Sequence, residues 1–128
     1  MGQKTTVCVV DDNDLVRETM CRALQDAGFR VLEAAGGVEG LRKIDSEKPA
    51  VVVLDIIMPD REGTDIVLEV TRRSPETKIL VVSGGGIRAT AQDYLELALG
   101  LGAHDALAKP FKKKDLAAKV AALAKLAH

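Results

Sequence analysis

Four places in the sequence carry side chains suited to polar chemistry: Asp11-Asp12, Asp55, Ser83 and Lys109. Each is ordinary alone, since adjacent aspartates usually form a turn or cap a helix and a serine before glycines usually serves a turn. Taken together they offer three carboxylates, an ammonium and a hydroxyl. Converging carboxylates repel one another and raise each other's pKa. A hard divalent cation relieves that repulsion, and Mg²⁺ favours a few carboxylate oxygens completed by water and a phosphate. Lys109 adds a positive charge that can hold a phosphoryl oxygen, and Ser83 adds a neutral donor. Such a set suits an aspartate nucleophile attacking phosphorus, with positioning and charge neutralisation lowering most of the barrier.

The surrounding pattern explains how these residues could meet. Thr6–Val10 is a short β-branched run that stops at Asp11-Asp12, and Ala50–Leu54 is a more continuous one that stops at Asp55. Lys78–Val82 precedes Ser83, and a weaker strand near Asp105–Leu107 precedes Lys109-Pro110. Arg30–Glu33 completes five predicted strands. Between them lie apolar positions at helical spacing: Asn13 to Ala27, Val38 to Ile44, Thr64 to Arg73, Thr90 to Leu101 and Lys113 to Ala127. Gly28, Pro49 and Pro75 mark helix ends. Apolar runs without alternation belong to strands covered on both faces. Five βα units with right-handed crossovers imply a doubly wound α/β fold, a parallel sheet with helices on both faces. Ligands bind such sheets beyond the carboxyl ends of the strands, where the reactive residues stand.

Composition sets the outer bounds. The 128 residues suffice for one domain with its own core, and 47% are apolar against 29% charged. A formal charge of −1 gives no overall attraction to nucleic acid, and no apolar run approaches a membrane span. The expectation is a cytoplasmic protein of one domain, residues 1–128, with no output domain. One Tyr, two Phe and no Trp leave the core to Val, Leu, Ile and Ala. Cys8 and Cys21 lack metal-ligand spacing and read as reduced thiols in or near the core, while His104 and His128 read as surface residues.

The motifs Asp11-Asp12, Leu54-Asp55-Ile56-Ile57-Met58-Pro59-Asp60, Gly63, Ser83-Gly84, Gly102-Ala103 and Lys109-Pro110-Phe111 occur in order along the whole chain. In these the chain resembles the receiver domains of response regulators in bacterial two-component systems. The resemblance implies the flavodoxin-like strand order 2-1-3-4-5. It also implies that Asp55 accepts a phosphoryl group from a sensor histidine kinase or histidine phosphotransfer protein. Asp12 and Asp55 would bind Mg²⁺ (or Mn²⁺) through their side chains, Asp11 through water, and Ile57 through its backbone carbonyl. Ser83 and Lys109 would contact the phosphoryl oxygens, and the Lys109–Pro110 bond would be cis. The first helix near Asp14, Leu15 and Arg17 would face the kinase.

Two departures stand out. Many receivers carry an aromatic residue three positions before the lysine, whose ring turns inward on activation; here Ala106 has no ring to turn. The run Ser83-Gly84-Gly85-Gly86 lengthens the connection after the fourth strand. Its glycines give Ser83 backbone freedom, and Gly85 would leave one side of the phosphoryl group open where Ile57 shields the other. In the fourth helix, Leu95, Ala98, Leu99 and Gly102 form a core stripe. Tyr94, Leu97 and Leu101 form a second one, offset by about 110°. The second stripe is the candidate surface for a downstream protein or a phosphorylation-dependent dimer. Lysines of the last helix read as a solvated face.

Other functions fit less well. A phosphohydrolase with an aspartyl-phosphate intermediate needs a second aspartate two residues after the nucleophile, where this chain has Ile57. A dinucleotide enzyme needs glycines after the first strand, where Asp11-Asp12-Asn13 stands. A receiver serving as an unphosphorylated scaffold is the remaining alternative to a phosphoacceptor switch, and all five key side chains argue against it.

Overall fold

The computed structural model of the chain describes residues 4–84 and 91–127, and in the fourth helix it leaves the side chains of residues 91, 94 and 95 undescribed. Strands and helices alternate: β1 Thr6–Val10, α1 Asp14–Asp26, β2 Arg30–Ala34, α2 Gly37–Glu47, β3 Val51–Asp55, α3 Gly63–Arg73, β4 Lys78–Ser83, α4 Ala91–Leu101, β5 Asp105–Ala108 and α5 Lys113–Leu126. All pairings are parallel and the order is β2-β1-β3-β4-β5. The β-branched runs form the middle of the sheet, where every residue of β3 is buried.

Helices on both faces divide the core into two layers. Cys8, Val10, Val52 and Leu54 face Leu41, Ile44, Ile66, Val67 and Val70 on one side. Val7, Val9, Val51 and Val53 face Met20, Leu24, Leu116 and Val120 on the other. Successive strand residues thus feed opposite layers, which is why these strands show no polar alternation. Cys8 and Cys21 are both free and buried. Burial pushes the Cys8 thiol up to about 12 and the Cys21 thiol to about 11, so both stay protonated and inert.

The fourth helix corrects one expectation. Ala98 is fully buried, but Leu99 is 41% exposed, and Leu101 packs partly against the core beside Ala98. Residues 98 and 101 are three apart and share a face, so the inward stripe passes through them and leaves Leu99 on the flank. Leu97 is 54% exposed. The Tyr94 and Leu95 side chains lie outside the described residues, as does Gly85. Among the described residues, no helix is long and apolar enough to cross a membrane.

The order of the strands creates the crevice. From β1 the chain crosses to β2 on one side, then returns to lay β3 on the other, so the crossovers diverge beyond the ends of β1 and β3. Asp11 and Asp55 stand at those ends, paired through the register Val10↔Leu54.

Candidate functional site

Beyond β1 the chain turns sharply and enters α1. The Asp11 carboxylate accepts the Asn13 N–H at 2.9 Å, and the Asn13 side chain caps α1 by accepting the Val16 N–H at 3.0 Å. Both are the short-range bonds that favour Asp and Asn in turns and at helix starts. The turn leaves Asp11 fully buried and Asp12 exposed. Asp55, the last residue of β3, is buried and accepts the Ile57 N–H at 3.3 Å. Behind it, the Ile56 N–H continues the ladder to Val82 O at 3.1 Å.

Lys109 reaches this pair from the far side. Its backbone N–H donates to Ser83 O at 2.9 Å, carrying the β4–β5 ladder one step beyond Ser83↔Ala108. The Lys109–Pro110 bond is cis. The ammonium lies 3.2 Å from Asp11 Oδ2 and 3.7 Å from Asp55 Oδ2. Ser83 is buried at the end of β4. Ala106 is half-buried on β5, beside Val81.

The electrostatics follow from this packing. Burial first, and then the charge of Asp11, push the Asp55 carboxyl up from 3.8 to about 6. The Lys109 ammonium and the Ile57 N–H oppose that rise. One ammonium faces three carboxylates, so the cluster is short of positive charge. Asp11, Asp12 and Asp55 each offer an oxygen, all within 4.8 Å of one another. Oxygens on one Mg²⁺ at bonds of ~2.0–2.1 Å lie roughly 3 Å apart when adjacent and ~4 Å apart when opposite. The spacing and the all-oxygen donor set therefore fit a hard cation, with some carboxylates bound directly and others through water.

Several contacts were not foreseen. Arg17, expected on the kinase-facing surface, has a side chain only 11% exposed. It turns inward to the Asp11 carbonyl at 2.9 Å, while Asp14 and Leu15 remain on the surface. Asp60 accepts the N–H groups of Gly37 and Val38, both at 3.1 Å, so the β3–α3 loop caps α2. These bonds hold its carboxyl below the usual range. The missing signal was in α2 itself, whose N-cap Gly36 has no side chain to offer. On the last helix, Lys119 is paired with Asp105 at 3.1 Å, which ties α5 to β5.

Comparisons with known proteins agree with this geometry. The sequence model of the response regulator receiver domain matches residues 7–121. Response regulator MprA of Mycobacterium ulcerans is 38% identical over 120 residues, covering 91% of this chain and 49% of that protein. The chain thus spans about half the length of the curated relatives it matches. Among solved structures, a CheY-like response regulator receiver domain protein of Methanospirillum hungatei superposes with a TM-score of 0.88 at 26% identity, over 98% of this chain and 97% of that one. The chemotaxis protein CheY4 of Vibrio cholerae gives 0.83 at 28% identity, over 94% and 99%. Motif order, sheet topology and sequence match all lead to one assignment: the chain belongs to the response regulator receiver domain family.

Proposed function

We propose that the chain is a Mg²⁺-dependent phosphoacceptor switch, with Asp55 taking a phosphoryl group from a histidine kinase or histidine phosphotransfer protein. The observation that carries this reading is the convergence of Asp11, Asp12 and Asp55 within 4.8 Å, with Lys109 as the counter-charge. A pKa of about 6 leaves Asp55 mostly ionised at neutral pH, the form that attacks. An Asp55 oxygen bonds to phosphorus as the P–N bond to the donor imidazole breaks, and the imidazole nitrogen keeps the electron pair. Bound Mg²⁺ would supply charge neutralisation for the phosphoryl oxygens, held by Asp12 and Asp55 directly, by Asp11 through water and by the Ile57 carbonyl. Lys109 adds the second positive charge, and Ser83 donates a hydrogen bond once the phosphoryl group is in place.

The partner surfaces follow from what lies around that mouth. An apolar groove formed by Leu15, Thr19, Pro110 and Phe111 runs beside Lys109, and Leu15 is 73% exposed. This groove and Asp14 form the docking face for the phosphoryl donor. On the other side of Asp55, Leu97 lines a groove with Ile57, Met58 and Thr64. Leu97, adjoining the phosphoacceptor loop, belongs to the surface that a downstream partner or a second copy reads after phosphorylation, with Tyr94 assigned to it on sequence alone. Leu101 is half-buried against the core and contributes only its exposed part to that surface.

The deciding measurement is intact-mass analysis after incubation with Mg²⁺ and acetyl phosphate or phosphoramidate. A gain of one phosphoryl group that needs Mg²⁺ and is absent in Asp55→Asn is the expected result. No gain, from these donors or from a histidine-phosphorylated protein, would leave the scaffold reading.

A further inference from the structure

Asp11 is a fully buried carboxylate-bearing residue with every polar group engaged. Its N–H donates to Ala34 O at 3.1 Å, and its carboxylate accepts from Asn13 N at 2.9 Å and from Lys109 Nζ at 3.2 Å. Its carbonyl accepts from the Arg17 guanidinium at 2.9 Å. The same guanidinium donates to Asp14 Oδ1 at 2.7 Å and, through Nε, to Glu33 Oε1 at 3.1 Å. Glu33 and Ala34 are consecutive at the end of β2. The two peptides flanking Asp11 are thus tied to neighbouring residues of one strand, the Val10–Asp11 peptide directly to Ala34 and the Asp11–Asp12 peptide through Arg17 anchored on Glu33.

The carbonyl that Arg17 holds belongs to the peptide joining Asp11 to Asp12. That peptide plane sets the direction in which the exposed Asp12 carboxylate leaves the chain. A planar guanidinium offers five donors in fixed directions and can satisfy three separate acceptors, which an ammonium on a flexible stem cannot do with the same geometry.

We propose that Arg17 is a positioning residue for the metal site, fixing the Asp11–Asp12 peptide so that both carboxylates present their oxygens to one cation. The inference rests on the Mg²⁺ reading of the acidic cluster. A competing role, plain counter-charge to the surrounding carboxylates, makes the opposite prediction. Removing a positive charge beside a cation site strengthens cation binding by electrostatics, whereas releasing the peptide weakens it.

Calorimetric titration of Mg²⁺ into metal-free wild type, Arg17→Ala and Arg17→Lys separates the two. Positioning predicts that affinity falls about tenfold in Arg17→Ala, and that it also falls in Arg17→Lys although the charge is kept. Phosphorylation by acetyl phosphate should then recover towards the wild-type rate at saturating Mg²⁺. Equal or tighter Mg²⁺ binding in Arg17→Ala overturns the inference, as does wild-type affinity in Arg17→Lys. Arg17→Lys keeps the test decisive should Arg17→Ala fail to fold. Absence of Mg²⁺ binding in the wild type overturns the functional reading itself, and the inference with it.

Discussion

The Lys109 ammonium is bound to Asp11, 3.2 Å from its Oδ2, and lies farther from Asp55, at 3.7 Å. Asp11 is fully buried, so this is the contact that compensates its charge in the metal-free protein. Removing one partner of a buried pair leaves an uncompensated charge, a cost reduced here because the Lys109 side chain is about a quarter exposed. Lys109→Ala should lose about 1–3 kcal/mol of stability without metal. The same substitution removes a charge that competes with the cation, so Mg²⁺ should bind more tightly. Urea unfolding and Mg²⁺ titration measure the two effects, and unchanged Mg²⁺ affinity would show that the ammonium does not face the cation.

Asp55 predicts the opposite sign for stability. Its carboxyl is raised from 3.8 to about 6, so ionisation is less favourable in the fold than in the unfolded chain. The resulting penalty is absent below pH 3.8, builds between 3.8 and about 6, and is complete above that. Its size is on the order of 2–3 kcal/mol. Asp55→Asn should therefore stabilise the metal-free protein at pH 7 by up to that amount, with the advantage vanishing below pH 4. Mg²⁺ should stabilise wild type by mass action and Asp55→Asn much less. Chemical denaturation at several pH values, with and without Mg²⁺, checks both statements.

The strands and the site residues at their ends were legible in the sequence because the signal is local. A buried parallel strand is a continuous apolar, largely β-branched run, and those of β1, β3 and β4 stop at Asp11, Asp55 and Ser83, residues of the candidate site. The face of α4 was not legible in the same way. Leu97, Ala98, Leu99 and Leu101 are apolar at nearly every angle, so periodicity could not separate the buried Ala98 and half-buried Leu101 from the exposed Leu97 and Leu99. Arg17 and Asp60 failed to show for a different reason. Their partners Glu33, Gly37 and Val38 lie 16 to 23 positions away, and only the folded sheet brings them near. A charged side chain reads as solvated until its partner is known.

Gly63 shows how closely the β3–α3 loop is packed. Its N–H donates to Ile56 O at 2.6 Å. A Cβ at position 63 would overlap Ile56 Cα and lie 2.6 Å from that same oxygen. The obstruction is backbone, which cannot rotate away as a side chain could. Gly63→Ala should cost about 3 kcal/mol, or roughly 10 °C in Tm. Because Ile56 adjoins Asp55, Mg²⁺ affinity should fall as well. A thermal melt within a degree or two of wild type would mean that the loop relaxes freely.

His104 extends the sheet with its side chain. Its backbone N–H donates to Ile79 O at 2.9 Å, and its ring Nδ1 accepts the Ile79 N–H at 3.0 Å. Only a neutral imidazole protonated on Nε2 can accept at Nδ1. Partial burial, and then the nearby Lys78 charge, lower its pKa from 6.5. The stabilisation is therefore complete above the ordinary value and lost as pH falls through the lowered one. At pH 7.5, His104→Ala should be less stable than wild type by about 0.5–1.5 kcal/mol, the worth of one hydrogen bond. As pH falls through the lowered value, the gap should close, because protonated His104 gives up the acceptor that alanine never had. The Asp55 contribution also changes with pH, but it is common to both proteins and cancels in the difference. A gap independent of pH would mean that the ring stabilises by packing and that Nδ1 is not the acceptor.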